Sequence, residues 1–262
     1  MGRAPDTMPA DSDTTQTYRE VLLPNGWRVG RFAALEALAG VTHMVTTTEG
    51  LDPLHAREHP QEAARQAAEV LGLPGAAWMR QVHGRRVLSA SAGGLAGEGD
   101  GLIANGASLA LAARGADCPL ILIADGCRGA VGVAHASWRG TVGRIAAELV
   151  LRMAAEFGSE PAELVAAICP SAGPCCYEVQ NDVVGAALGS LGARAERYLS
   201  RRDGRTYFDL WRANRAELLR AGLTDAHIHT AGVCTICSGT RYPSHRRQGD
   251  AAGRLQAVIG MR

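Results

Sequence analysis

The sequence predicts a single compact α+β domain in which helices flank a mixed β-sheet. From Tyr18 onward, short apolar runs alternate with turn residues and amphipathic stretches, and no internal repeat is present. The length of 262 residues is sufficient for a large buried core. With 47% hydrophobic and 20% charged residues, the composition is that of a globular protein, and 32 glycines favour tight turns between short elements.

The strands are predicted from short apolar runs bounded by turn residues. Residues 19–23 and 27–32 flank the sequence Pro24-Asn25-Gly26, which is typical of a hairpin turn. The other predicted strands comprise residues 41–47, 109–113, 120–124, 130–134 and 164–168.

Helices are predicted in three segments. Residues 61–71 carry apolar side chains at helical spacing. The clearest helix begins near Thr141, continues with i, i+3, i+4, i+7 periodicity over residues 142–157, and ends at Gly158. In the third segment, Asp209 is placed to cap a helix that extends through residue 219, with Gly222 just past its end.

Composition and charge exclude several classes of function. A formal net charge of +1 and 5% aromatic residues argue against a surface dedicated to nucleic acid or to an acidic membrane. None of the 27 basic residues is a lysine, which excludes a Schiff-base lysine, a Walker-loop lysine and a lysine general base. No run approaches the roughly 18 apolar residues of a membrane helix. We therefore expect neither a nucleic acid nor a membrane as a partner.

Residues 1–17 are predicted to be a disordered N-terminal tail, which precedes a catalytic domain of residues 18–262. The tail is polar and lacks the apolar core of a signal peptide. The seven cysteines are therefore expected to be reduced thiols in the cytoplasm. For the quaternary structure we expect a monomer or a weak homodimer.

Three polar residues, His83, Cys118 and His135, stand beside predicted strands, where they can point into one crevice. Two imidazoles and one thiolate form a zinc ligand set that leaves a fourth position for water or substrate, as in catalytic sites. The residues are too far apart in sequence to match a short metal motif. Two hydrogen-bonded core histidines and an inert buried cysteine therefore remain the alternative.

Several sequence blocks occur in an order that resembles the YfiH-like family, long labelled multi-copper polyphenol oxidase or laccase-domain proteins. The first blocks are Gln81-Val82-His83-Gly84, Ala116-Asp117-Cys118-Pro119, Ala134-His135-Ala136-Ser137-Trp138-Arg139-Gly140-Thr141 and Gly173-Pro174-Cys175-Cys176-Tyr177-Glu178-Val179. The later blocks are Phe208-Asp209-Leu210, Ala213-Asn214, Cys234-Thr235 and Ser244-His245-Arg246-Arg247. The resemblance extends roughly from residue 41 to the C-terminus.

This resemblance implies a cytoplasmic protein with a large mixed sheet, in which His83, Cys118 and His135 hold zinc and act as the catalytic residues. It also implies phosphorolysis of purine nucleosides such as adenosine, inosine and methylthioadenosine, with adenosine deamination as a second activity. Purine nucleosides and phosphate are thus the expected partners. Bacterial relatives have also been connected with the editing of peptidoglycan precursors, so a non-catalytic or precursor-editing protein is the alternative.

A copper-dependent polyphenol oxidase is a less favoured alternative. Two histidines and one cysteine also form the ligand set of blue copper, and copper binds most such sites more tightly than zinc in vitro. Multicopper sites, however, require several His-x-His pairs, whereas this chain contains only His227-Ile228-His229. Zinc is therefore the expected metal.

Three further residues are candidates for binding phosphate or nucleoside. Arg139 lies just before the predicted start of the long helix, where free N–H groups and the helix dipole favour an anion, although a surface salt bridge is an equal alternative. Thr48 occupies the position of the arginine that the family usually has, and the family's Ser-Leu-Asn-Leu-Gly stretch is missing here. Arg246 is expected to meet phosphate or the C-terminal segment.

The remaining cysteines are expected to have structural roles. Cys234 and Cys237 have the spacing of a redox motif or a zinc knuckle, but no second Cys-x-x-Cys pair exists in the sequence. Cys175 and Cys176 are adjacent in a Gly-Pro turn, where packing is the expected role. One metal site per chain is therefore predicted.

Overall fold

The structure is a computed structural model that describes residues 17–106 and 108–262. Apart from Thr17, the predicted tail of residues 1–17 lies outside the described residues. In chain order the strands are β1 (Tyr18–Leu22), β2 (Arg28–Phe32), β3 (Val41–Thr46), β4 (Ala76–Arg80), β5 (Val87–Ser89), β6 (Gly94–Glu98), β7 (Gly101–Asn105), β8 (Ala110–Gly115), β9 (Leu120–Asp125), β10 (Ala130–His135), β11 (Val165–Ile168), β12 (Glu178–Val179), β13 (Leu199–Arg202), β14 (Arg205–Phe208), β15 (Ile228–Thr230) and β16 (Leu255–Met261).

The helices surround these strands. They are α1 (Ala33–Glu36), α2 (Pro53–Glu58), α3 (Pro60–Val70), α4 (Trp138–Val142), α5 (Ile145–Phe157), α6 (Asn181–Leu191), α7 (Leu210–Arg220) and α8 (His245–Gln248). Of the helices in the described ranges, none offers the length of apolar surface that spanning a lipid bilayer requires.

The strands form two large mixed sheets and one small one. The first has the order β1-β2-β3-β16-β8-β4-β6, the second β15-β11-β9-β10-β7-β5, and the third β12-β14-β13. Most neighbouring strands are antiparallel, whereas β4 runs parallel to β6 and β8, β5 to β7, and β11 to β15. This architecture confirms the predicted α+β domain with mixed sheet and flanking helices.

The main core lies between the two large sheets, and strand alternation explains which side chains enter it. In β9, Leu120 and Leu122 point into this core, together with Leu111 and Ile259 of the other sheet. Ile121 of the same strand points to the opposite face, where α5 and α7 cover the second sheet. The apolar stripe of α3 covers the outer face of the first sheet.

The predicted hairpin and the helix capped by Asp209 are confirmed. Leu22 pairs with Arg28 across the turn that contains Gly26, whose φ is +86°. The Asp209 side chain accepts a 2.9 Å hydrogen bond from the Arg212 N–H at the start of α7.

The prediction of one helix beginning near Thr141 is wrong, because the segment forms two helices, α4 and α5. The chain turns between them at Arg144, whose φ is +65°. Ser137 caps α4 by accepting a 3.1 Å hydrogen bond from the Gly140 N–H. Arg139 consequently lies inside a short helix and not before the start of a long one.

Candidate functional site

The ends of three strands bring His83, Cys118 and His135 together. In the antiparallel pair of β9 and β10, His135 lies opposite Leu120, so Cys118 is two residues from the position that faces His135. His83 follows the end of β4, and its ring meets that of His135 edge-on with the centroids 4.9 Å apart. The three potential ligand atoms all lie within 4.8 Å of one another.

Asp100, which the sequence analysis missed, organises this group from the residue before β7. Its fully buried carboxylate accepts hydrogen bonds from the backbone N–H groups of Val82 (3.2 Å), His83 (3.0 Å) and Gly84 (2.7 Å). These bonds hold the His83 backbone in the left-handed region, with φ of +61°. In the sequence, Asp100 lies between Gly99 and Gly101 just before an apolar run. This position is the only sequence signal that could have indicated its role.

The same carboxylate orients the second histidine. Nδ1 of His135 lies 2.8 Å from Oδ1 of Asp100. Because an ionised carboxylate can only accept, Nδ1 carries a proton, and Nε2 is the ring nitrogen left to bind a metal, which would displace the proton of Nε2. A carboxylate behind a histidine in this way is the usual support for a metal-binding imidazole.

Electrostatics favour ionised groups at this site. Burial raises the pKa of Asp100, but hydrogen bonds from His135 and from the Gly84 N–H outweigh it and hold that pKa below its usual value. Burial likewise raises the pKa of the Cys118 thiol, yet the neighbouring His135 and His83 bring it to about 6. Burial lowers the pKa of His135, whereas Cys118 and Asp100 raise it to about 9. The donors therefore include a thiolate at neutral pH.

This donor set fits zinc. A thiolate sulfur and two imidazole nitrogens are the ligands that Zn²⁺ prefers, and three protein ligands leave one position open to a substrate. The buried Asp100 supplies the outer support that such a site requires.

A cleft of about 460 Å³ opens at the three residues and is lined with arginines that the sequence analysis did not select. Its lining includes His83, Cys118 and His135, together with Gln81, His245 and the three arginines Arg57, Arg114 and Arg254. Within the described residues, no carboxylate forms an ion pair with Arg114 or Arg254, whereas Arg57 pairs with Glu58 at 2.8 Å. Burial lowers the pKa of Arg254, and the charge of Arg57 lowers it further. An anion in this cleft would relieve that repulsion.

The three residues predicted to bind phosphate do not line this cleft. The Thr48 hydroxyl donates to the carbonyl oxygens of Thr240 (2.8 Å) and Arg241 (3.2 Å), at the same end of the first sheet as Arg254. The guanidinium of Arg139 lies 4.2 Å from the centroid of the Trp138 ring.

The third of these residues, Arg246, contributes through its backbone. Its N–H donates a 2.7 Å hydrogen bond to Oδ2 of Asp117, and its guanidinium lies 5.5 Å from the centroid of the Tyr177 ring. Asp117, with φ of +84°, thus fixes the loop before Cys118 to α8.

The comparisons with known proteins agree with this architecture. The chain belongs to the family described as multi-copper polyphenol oxidoreductase laccase, whose family model matches residues 50–262. This confirms the YfiH-like family that the sequence blocks indicated.

Similar proteins carry names from purine nucleoside chemistry. The purine nucleoside phosphorylase YlmD of Geobacillus stearothermophilus is 36% identical over 211 residues, which are 76% of this chain and 77% of that protein. The adenosine deaminase RL5 of an unknown prokaryotic organism is 37% identical over 158 residues, which are 59% of either chain.

Two solved structures share the fold. The YlmD structure from Geobacillus stearothermophilus has a TM-score of 0.81 and 32% identity, and the match covers 93% of this chain and 98% of YlmD. The hypothetical protein YfiH of Bacillus licheniformis has a TM-score of 0.81 and 27% identity, with 93% and 99% covered.

Proposed function

We propose that this protein catalyses the phosphorolysis of purine nucleosides, with a zinc ion held by His83, Cys118 and His135. The observation that carries the proposal is the juxtaposition of this ligand group with the arginine-lined cleft. The names of its relatives, which include a purine nucleoside phosphorylase, support the same chemistry. Adenosine, inosine and methylthioadenosine are the proposed substrates.

The cleft provides the features that phosphate recognition needs. Guanidinium groups form charge-assisted, often bidentate, bonds to phosphate oxygens, and Arg57, Arg114 and Arg254 line the cleft. The Gln81 side chain holds this arrangement, because it bonds to both the N–H (2.9 Å) and the carbonyl (2.7 Å) of Arg114. A volume of about 460 Å³ lies within the usual range for small-molecule sites.

In the proposed reaction, a phosphate oxygen attacks the sugar carbon that carries the purine. The carbon–nitrogen bond breaks, its electron pair leaves with the base, the base takes up the proton that the attacking hydrogen phosphate gives up, and a sugar 1-phosphate remains. A bound zinc ion supplies Lewis acidity for polarising a substrate atom. The arginines hold phosphate for the attack, and Asp100 keeps His135 in one orientation.

Adenosine deamination is a second candidate activity of the same site. The similarity to the adenosine deaminase RL5 supports it. Water would replace the exocyclic amine of adenosine and release ammonia, without consumption of phosphate.

Copper oxidase chemistry receives less support from the arrangement of ligands. In the described part of the chain, two groups of side chains are suited to a metal. The first contains two histidines, His83 and His135, and the second consists only of cysteines. The clustered histidines of a multicopper centre are therefore not assembled here.

A cytoplasmic location is proposed because the seven cysteines are all free thiols.

The test is incubation of zinc-replete protein with each nucleoside, with and without phosphate, followed by chromatography of the products. We expect free base and sugar 1-phosphate only when phosphate is present. Inosine and ammonia formed from adenosine without phosphate would report deamination. No base release from any purine nucleoside would overturn the phosphorylase proposal in favour of a non-catalytic or precursor-editing protein.

A pair of cysteine variants separates site chemistry from general effects. Cys118→Ser removes the thiolate of the ligand group, and the large core is expected to keep the variant folded. It should lose most of the turnover. Cys127→Ser, which changes an exposed free thiol elsewhere, should retain it.

A further inference from the structure

The structure brings four cysteines together at a second location. Cys175 and Cys176 lie in the turn before β12, and Cys234 and Cys237 lie in the loop after β15. The sulfur atoms of all four lie within 4.8 Å of one another. The sequence alone predicts a separate role for each pair: structural thiols for Cys234 and Cys237, since no second Cys-x-x-Cys pair exists, and packing for Cys175 and Cys176 in their Gly-Pro turn.

The distances fit a single tetrahedral ion. Sγ of Cys175 lies 3.8 Å from Sγ of Cys237. In a tetrahedron with zinc–sulfur bonds of about 2.3 Å, two sulfur atoms are about 3.8 Å apart. A disulfide would instead require about 2.05 Å.

The backbone around the cluster is arranged for thiolate sulfur. The Gly173 N–H donates a 3.2 Å hydrogen bond to Sγ of Cys234. Such a hydrogen bond from the backbone is typical of the outer contacts that support ligands in metal sites.

Two arginines balance the charge of such a site. One ion of charge +2 with four thiolates carries a net charge of −2. Arg202 donates to the carbonyl oxygens of Pro174 (2.6 Å) and Cys175 (3.2 Å) in the first loop. Arg247 donates to those of Thr235 (2.8 Å) and Ile236 (3.1 Å) in the second loop.

We infer that Cys175, Cys176, Cys234 and Cys237 bind one zinc ion in a second, structural site that joins the two loops. Four protein ligands fill the tetrahedral sphere, so this ion has no open position for a substrate. Thiolate-only tetrahedral sites select zinc or iron–sulfur centres, and clusters of several irons hold their thiolates further apart than one ion does. The chain would then carry two zinc ions in place of the one predicted from the sequence.

The experiment is metal analysis of full-length protein and variants purified under reducing conditions, without chelator or added metal. We expect two zinc ions per chain in the original protein and one in Cys237→Ser. The exposed thiol of Cys127 provides the matched control, and Cys127→Ser should keep two. Cys118→Ser should keep one, and the double variant with Cys118→Ser and Cys237→Ser should keep none.

Cobalt binding identifies the ligands of the second ion. In the Cys118→Ser background, added Co²⁺ should give the intense absorption of tetrahedral thiolate coordination, and Cys237→Ser should abolish it. Zinc content that is unchanged by Cys237→Ser, or no thiolate absorption with Co²⁺, would overturn the inference. Alkylation and mass spectrometry that found a disulfide among the four cysteines of freshly isolated protein would do the same. Because these readouts do not involve nucleosides, they stand apart from the phosphorylase assay.

Discussion

Oγ1 of Thr235 donates a 2.7 Å hydrogen bond to Oδ1 of Asp117, and both residues are buried. Thr235 lies between Cys234 and Cys237 of the four-cysteine cluster, whereas Asp117 precedes Cys118 of the other ligand group. One pair of side chains therefore connects the two loops that carry the candidate metal sites. A change in the structure of the loop that contains Thr235 would therefore act on the loop that contains Cys118 through this hydrogen bond.

Replacing Asp100 with asparagine is expected to weaken metal binding without removing a ligand. Asp100→Asn keeps the size of the side chain but loses the charge that orients His135. Losing such an outer partner typically costs about 10- to 100-fold in metal affinity or activity. Zinc affinity, measured by competition with a chromogenic chelator, and kcat should both fall. An unchanged zinc affinity in a folded Asp100→Asn protein would show that this carboxylate does not support a ligand.

Removing a cleft arginine is expected to weaken phosphate binding. In Arg114→Gln and Arg254→Gln, each loss of charge-assisted bonds should cost about 1.5–3 kcal/mol, which corresponds to a rise of roughly 10- to 100-fold in the KM for phosphate. Steady-state kinetics at saturating nucleoside measures this change. Arg65→Gln is the control, because Arg65 pairs with Glu62 on the exposed face of α3. Equal phosphate dependence in all three variants would place the anion elsewhere.

Introducing an arginine at position 48 is expected to change the affinity for phosphate. Thr48 stands at the end of the sheet from which Arg254 enters the cleft, and a guanidinium there adds a fork of donors where a single hydroxyl now bonds to the carbonyl of Thr240. Thr48→Arg should lower the KM for phosphate. A phosphate dependence identical to that of the original protein would mean that position 48 does not face the site.

The stability of the protein is expected to fall in mild acid because of His43. Burial and the charge of Arg31 lower the pKa of His43 from 6.5 to about 3. The unfolded chain therefore binds a proton that the folded protein excludes. The contribution of His43 to the free energy of unfolding is fully present above the pKa of the unfolded state and decreases as the pH falls below it. For this residue alone, the expected loss between about pH 8 and about pH 5 is about 2 kcal/mol.

Urea denaturation at several pH values measures this contribution. Nε2 of His43 accepts a 2.8 Å hydrogen bond from the Phe32 N–H, and in His43→Gln an amide oxygen can take over that acceptor role without titrating. In this variant the difference in the free energy of unfolding between about pH 8 and about pH 5 should be smaller by about 2 kcal/mol. Replacement of the exposed His59 should leave that difference unchanged. If His43→Gln retained the full pH dependence, groups other than His43 would be responsible for it.

Local patterns in the sequence were sufficient to predict much of the fold. The hairpin follows from Pro24-Asn25-Gly26, and β9 and β10 follow from unbroken apolar runs. The break between α4 and α5 escaped prediction because Val142 and Ile145 are three residues apart and keep the helical spacing across it. Hydrophobic periodicity shows which face of a helix is apolar. It does not show that one residue, here Arg144, has a left-handed backbone conformation.

The candidate site was only half accessible from the sequence. His83, Cys118 and His135 stood out as polar residues beside strands and within recognisable blocks. The cleft arginines come from α2, from β8 and from the residue before β16, so only tertiary structure brings them together. For the same reason, the four cysteines and Asp100 did not appear as sites.

The left-handed backbone at His83 and Asp117 restricts how these positions can vary during evolution. Histidine, aspartate, asparagine and glycine tolerate a positive φ, whereas β-branched residues do not. The backbone at position 117 therefore excludes valine and isoleucine, whatever their volume, and the two hydrogen bonds that the Asp117 carboxylate accepts restrict the choice further. At position 83 a replacement must tolerate this backbone and also offer a metal donor. Fewer amino acids are therefore acceptable at position 83 than the need for a metal ligand alone would allow.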